Sequence, residues 1–313
     1  MFKKCCCALL LAFVATLPAC TTVKASAVVS PSASAVAERM ELVREIKEYE
    51  KRIGWGPTEN FLRYEHALVS YSFCVYTGEF DFNRVVTWDD EGGCPEKERH
   101  DRSSAVVEAV AGSGTPLSRS LVEADIARFV YVIFHEDFHE QIANIPTLAL
   151  NESATQLVGL YAAEGFLREK YGADSAIHRI FVGAIDEMLL SARIEREYHG
   201  KLTELYDRIA RGEVGRAEGL REKALLYETM RRICREAGQS GLYTSCREHK
   251  NNADLDTALL YSAFYERFHE LHVCLGGDAR KTSLMLMQLV GESLTEEDEF
   301  ISRMHALMEQ GCR

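Results

Sequence analysis

Apolar positions recur at helical spacing over most of the chain and in short alternating runs over one stretch near its beginning. Val36, Met40, Val43, Ile46 and Ile53 share one face of a predicted helix over 36–53, which Gly54 and the Gly56-Pro57 pair stop. Between about residues 68 and 112 the pattern shortens. Runs rich in β-branched and aromatic residues at 71–76, 84–88 and 105–110 are separated by Gly78, Gly92-Gly93 and Pro95. They predict a small sheet of three strands. Gly112-Ser113-Gly114-Thr115-Pro116 breaks the chain again. Ser120 with Glu123 three residues on reads as a capping box for a helix running to about 143. Pro146 ends that helix, and the next covers 148–170 with Gly172 as its stop. From 175 to 237 a highly charged pattern, interrupted by Gly212 and Gly215, predicts a helical hairpin with solvated faces. A further helix is expected over 252–275, and a last one from a second capping box at Ser293 and Glu296. The fold class is therefore α+β, predominantly helical, with the small sheet at 68–112, a helix pair over 118–172, and a helical hairpin and C-terminal helices over 173–313.

The first twenty residues stand outside this pattern. Lys3 and Lys4 precede an apolar run from Cys5 to Leu17, too short and wrongly flanked for an ordinary span, so residues 1–19 read as a secretory signal. The run ends in Leu17-Pro18-Ala19-Cys20, which resembles the bacterial lipobox and implies lipidation of Cys20 as the new N-terminus. Residues 20–37, rich in Ser, Ala, Val and Thr, then form a flexible tether, and 38–313 form the folded domain. The expected location is the bacterial cell envelope, lipid-anchored, with Thr21 and Thr22 after the Cys favouring the outer membrane and a periplasmic orientation.

Composition narrows the partners. The chain has 313 residues, 47% of them hydrophobic, enough for a sizeable core, and a formal net charge of −12. An acidic surface without a basic patch argues against nucleic acid as a partner. Beyond the signal and Cys20 there remain six cysteines, an even number in an oxidising compartment. Cys74 with Cys94 and Cys234 with Cys246 are the natural local pairs, though fifteen connectivities of six cysteines are possible.

The candidate chemistry lies in His135-Glu136-Asp137-Phe138-His139. Two histidines four apart on a helix present both imidazoles to one ion, and Glu136 beside them is placed to take a proton from water. A zinc site of this kind needs a third protein donor. Glu152, on the helix that returns after Pro146, is the candidate. Glu140 points away from His135, and Glu164 lies three turns beyond Glu152 along its helix. An oxyanion donor is also required, and Tyr261, Tyr265, His269 and His272 recur at helical spacing beside Leu260, Phe264, Phe268 and Leu271, with Tyr261 and Tyr265 the favoured candidates. A packed aromatic face accounts equally for that recurrence.

Several segments together resemble a family of bacterial predicted aminopeptidases, many of them lipoproteins. They are His135 to His139, Asn151-Glu152-Ser153, Val158-Gly159, Lys170-Tyr171-Gly172, Leu205-Tyr206 and Asn251-Asn252-Ala253 with Leu255. The resemblance covers about 129–275. It implies a zincin-like, gluzincin-type fold, Zn2+ held by His135, His139 and Glu152, Glu136 as general base, and a peptide or protein substrate. It also offers Glu108, expected on a strand before the active helix, as the acid that holds a substrate amine. Two positions depart from the family pattern: Asp137 places a charge between the histidines, and Thr155 replaces the usual Ala. The alternative function is a catalytically inactive envelope lipoprotein of the same fold that binds or scaffolds other proteins.

Overall fold

A computed structural model describes residues 30–89, 93–112, 114–236 and 246–311. The signal segment and Cys20 lie outside the described residues, as do most of the turn at Gly92 and the residues from 237 to 245. The first helix, α1 (Ala33–Ile53), begins inside the expected tether. Ser32 caps it by accepting from the Ala35 amide at 3.1 Å, and Gly54 ends it at φ 95°. Ala33 to Ala37 looked like linker by composition, yet alanine is the best helix former once a cap nucleates the turn.

The sheet is three-stranded and antiparallel in the order β2-β1-β3, with β1 (Tyr71–Gly78), β2 (Val85–Trp88) and β3 (His100–Val107). β1 pairs Phe73 with Trp88 on one side and with Ala105 on the other. The third strand thus starts five residues before its expected position. His100 to Ser104 carry no apolar signal because β3 is an edge strand, where polar and charged side chains are the usual occupants. The Cys74–Cys94 disulfide joins the middle strand to the loop before β3, and Cys234–Cys246 is also formed.

The expected capping box at Ser120 and Glu123 is replaced by two caps. Ser118 accepts from the Leu121 amide and starts a short α2 (Arg119–Glu123). Asp125 accepts from the Arg128 amide at 2.8 Å and starts α3 (Ile126–Gln141). α4 (Leu148–Tyr171) returns antiparallel to α3, capped by Thr147 and stopped at Gly172. The charged hairpin is α5 (Ala176–Ala210) and α6 (Arg216–Glu236). The single helix expected over 252–275 is two: α7 (Asn252–Ser262) and α8 (Tyr265–Cys274). Two more follow, α9 (Ala279–Gly291) and α10 (Glu297–Gly311). α9, which Asp278 caps, has no counterpart among the expected elements. Ser293 sits at φ 57°, a left-handed conformation that closes α9 rather than opening α10, so the second capping box is also displaced. None of the described helices is long and apolar enough to cross a membrane.

Two buried clusters hold these elements. The larger surrounds α3 and α4, with Phe129, Phe134, Phe138, Leu150, Leu157 and Phe166 packed against Tyr49 of α1 and Phe268 of α8. The smaller fills the α5–α6 hairpin with Tyr198, Leu202, Leu205, Tyr206, Tyr227 and Met230. Asn252, fully buried, fastens the hairpin to the sheet. Its Oδ1 accepts from the Tyr206 and Tyr227 hydroxyls at 2.6 and 2.8 Å, and its Nδ2 donates to the carbonyls of Gly78 and Asp81.

Candidate metal centre

α3 is buried nearly all round, and it meets α4 most closely where Gly159 faces His135. A Cβ built on Gly159 would lie 3.2 Å from the Cα and N of His135. This close approach brings Glu152 of α4 beside both histidines of α3. His135 Nε2 and His139 Nε2 are 3.1 Å apart, and Glu152 Oε2 is 3.4 Å from the first and 3.5 Å from the second.

The outer faces of the rings settle which nitrogens point inward as acceptors. His139 Nδ1 is bonded to Asn151 Oδ1, which can only accept, so Nδ1 carries the proton. The Tyr131 hydroxyl donates to Gln156 Oε1, which leaves its oxygen to accept from His135 Nδ1 at 3.3 Å. In that tautomer both Nε2 lone pairs face Glu152 Oε2, itself buried without a hydrogen-bond partner. Three acceptors in a triangle of about this size repel one another unless a cation stands among them. Donors about 2.1 Å from a tetrahedral zinc are separated by roughly 3.4 Å, so the triangle has the right size for that ion. The residues present therefore fit a metal, and two histidines with one carboxylate leave a fourth position open.

Without a metal, protons supply the positive charge. Burial pulls His139 down, but the charge of Glu152, the hydrogen bonds that a protonated ring donates to Glu152 and Asn151, and the charge of Glu136 together raise it to about 9. Burial pushes Glu152 up, and the adjoining histidines outweigh it and hold the carboxyl well below its ordinary range. Glu136 goes the other way: burial raises it more than the two histidines and the Ala111 backbone amide lower it. A second cluster with metal-ligand geometry, Cys74, Asp89 and Cys94, has its thiols tied in the disulfide and offers no thiolate.

The two departures from the family pattern resolve as structural. Asp137 is fully buried on the far side of α3, where it accepts from Lys47 of α1, from Thr58 at 2.6 Å and from Asn60 at 3.2 Å. It clamps α3 to α1 and the following loop rather than entering the metal site. The Thr155 hydroxyl bonds back to the carbonyls of Asn151 and Glu152 within its own helix. The competing carboxylates are engaged elsewhere, Glu164 with His178 at 2.5 Å and Glu140 with Asn60.

The two tyrosine candidates separate. The Tyr261 ring lies 6.0 Å from that of His135, and the charge of Glu152 is the largest influence raising its pKa, ahead of burial and of Tyr131 and Glu136. Tyr265 is in the core, its pKa raised by burial and by Tyr161, Tyr131 and Asp186, with neither site carboxylate among its neighbours. His269 bonds Tyr161 at 2.9 Å and His272 bonds Thr282 at 2.9 Å, both outside the cluster. Glu108, one residue past β3, is bound at both oxygens by Arg128 at 3.0 and 2.8 Å. Burial works against its charge, yet the Arg128 bonds hold its carboxyl below the ordinary range. Arg128 in turn lies over the Tyr131 ring, 5.4 Å from its centre. Tyr131, Gln156 and Arg128 were not among the expected site residues, and Asn151 was present only as part of a matching segment, with no role. Tyr131 is four residues before His135 and Gln156 four after Glu152, so each lies one turn from a donor on the same face; that spacing was the available signal.

Fold and site together define a predominantly helical protein with a three-donor cluster on an antiparallel helix pair and a buried carboxylate beside it. A family model described as "Putative aminopeptidase" matches residues 108–301, well over half of the chain, and the protein belongs to that family. No curated protein and no solved structure matches it. Of the segments that carried the resemblance, Leu205-Tyr206 and Asn251-Asn252 meet at the hairpin: Tyr206 bonds Asn252, and Asn251 caps α7.

Proposed function

We propose that the protein is a zinc-dependent peptidase of zincin-like build, acting as an aminopeptidase on peptide substrates. His135, His139 and Glu152 hold the ion, and Glu136 is the general base. The observation that carries this reading is the triangle of inward-facing acceptors at 3.1, 3.4 and 3.5 Å, with its outer nitrogens bonded to Asn151 and Tyr131.

A zinc ion bound there supplies Lewis acidity towards a water molecule and the scissile carbonyl. Glu136 accepts the proton from the attacking water and delivers it to the leaving amine. The Tyr261 hydroxyl remains protonated over the working pH range and donates to the oxyanion. Buried side chains of α3 and α4 form the floor of the site and keep bulk water from the transferred proton. Glu108 accepts from the substrate's amine with the carboxylate lone pairs that the two Arg128 bonds leave free. Peptides are the partners on this reading. The domain hangs from Cys20 in the outer membrane and faces the periplasm, an oxidising location that the two disulfides favour.

The test is metal content by elemental mass spectrometry on the full chain in detergent, followed by hydrolysis of a peptide panel. Wild type is expected to hold about one zinc and to cleave, Glu152→Ala to lose the metal, and Glu136→Gln to keep it without cleaving. Absence of bound metal after zinc is supplied refutes the proposal. Metal without turnover on any peptide favours a binding role.

A further inference from the structure

The polypeptide from 252 to 275 reads as one helix and contains neither proline nor glycine, yet it breaks between α7 and α8. One cause of such a break is a group inserted into the helical ladder. That group is the hydroxyl of Ser153, fully buried on α4 and next in sequence to Glu152. In an unbroken helix the Phe264 amide would donate to the Leu260 carbonyl. Here the Phe264 amide donates to Ser153 Oγ at 3.2 Å, and Ser153 Oγ donates to the Leu260 carbonyl at 3.1 Å. The ladder resumes on both sides, with Ala263 bonded to Leu259 and Phe268 to Phe264, each at 3.0 Å.

The break decides where two tyrosines go. Four residues apart on a continuous helix, Tyr261 and Tyr265 would lie about 40° apart on one face. Instead Tyr261, in the last turn of α7, stands beside His135, whereas Tyr265 opens α8 inside the core. α8 is pinned by buried Phe268 and Leu271 and by the His272–Thr282 bond, so a change at the break must fall on the last turn of α7, where Tyr261 sits.

We infer that Ser153 is a positioning residue, whose hydroxyl splices into the α7–α8 ladder and aims Tyr261 at the metal donors. The helix that supplies the Glu152 donor thereby also sets the register of the oxyanion donor. The placement rests on geometry alone; its catalytic consequence rests on the peptidase reading.

The experiment places 3-fluorotyrosine at position 261 of the full chain in detergent and follows its 19F resonance as zinc is added. Wild type and Ser153→Thr, which keeps the hydroxyl, should show a zinc-dependent shift. Ser153→Ala should bind zinc equally but give a displaced resonance that responds weakly. An unchanged resonance and response in Ser153→Ala overturns the proposal, whether or not the protein cleaves peptides. If Ser153→Ala fails to fold, Ser153→Cys, with the same shape and a weaker hydrogen-bonding group, provides the same comparison. Where hydrolysis is observed, Ser153→Ala should lower kcat about tenfold with KM little changed. On a Tyr261→Phe background the same substitution should cost nothing further. Full additivity of the two losses would show that Ser153 acts elsewhere and would refute the assignment.

Discussion

Gly159→Ala isolates the close contact on which the donor triangle depends. The new Cβ would stand 3.2 Å from the His135 Cα and N and 3.3 Å from its Cβ. Carbon atoms prefer separations of about 3.5–4.0 Å, so α3 and α4 must part by roughly 0.3–0.8 Å at this level. Overpacking of this kind costs about 1–3 kcal/mol, and replacing a helical glycine by alanine returns about 1 kcal/mol. The net loss of stability is therefore modest, on the order of 0–2 kcal/mol. The metal site should suffer more, because donor distances tolerate only about 0.2 Å of error. Zinc affinity is expected to fall about tenfold or more, measured by competition with a chelator, while urea unfolding of the metal-free protein changes little. Gly183→Ala on α5 is the control. The same atom meets nothing within 4 Å there, so it should leave zinc binding intact and stabilise by up to about 1 kcal/mol. Equal zinc affinity in wild type and Gly159→Ala would refute the claim that this glycine sets the donor spacing.

Three further outcomes follow from contacts away from the donors. Burial and the neighbouring Asp137 raise Glu50 well above its ordinary value, so its contribution is favourable below the unfolded carboxyl pKa and is lost as pH rises through the folded one. Glu50→Gln should flatten that fall and stabilise the protein at pH 8 by about 1–3 kcal/mol in thermal unfolding; a steeper fall would contradict it. Asn252→Ala removes the partner of two buried tyrosine hydroxyls and of two carbonyls, at a cost of about 2–4 kcal/mol in urea unfolding, and a loss below about 1 kcal/mol would count against its central role. Replacing Cys234 and Cys246 by Ser opens a short loop worth about 3 kcal/mol. Because that bond belongs to the hairpin cluster rather than the cluster around α3 and α4, zinc affinity should be unchanged.

What the sequence made legible was whatever follows from local chemistry. The α4 start after Pro146, its stop at Gly172, and the long hairpin all rest on caps, breakers and apolar period, which act within a few residues. The histidine spacing and the Glu152 candidate were legible for the same reason. The losses occurred where distant contacts override local preference. Ser120 and Glu123 have the spacing of a capping box, but Ser118 and Asp125 lie nearby and cap two helices instead. The break before Phe264 has no trace in residues 252–275 because its cause is Ser153, more than a hundred residues away. The first half of β3 was hidden because an edge strand does not need apolar residues.

The strongest electrostatic feature of the site is the opposite treatment of its two carboxylates. Both are buried, and burial alone would raise both. Glu152 is held down because it faces both histidines directly, within 3.5 Å. Glu136 feels the same rings less strongly, is repelled by Glu152, and stays raised despite the Ala111 amide. A pair of acids whose surroundings push their pKa values apart divides two roles between them. The group held down suits a permanent donor to a cation, and the group pushed up suits a shuttle. A cation at the triangle would draw Glu136 down and strengthen its readiness to ionise, without altering which acid faces the donors. Exchange of the two roles by swapping side-chain lengths is therefore not expected: Glu152→Asp withdraws the oxygen from both histidines at once, and Glu136 is already engaged by the Ala111 amide and cannot replace it. Zinc retained at wild-type affinity in Glu152→Asp would overturn that division.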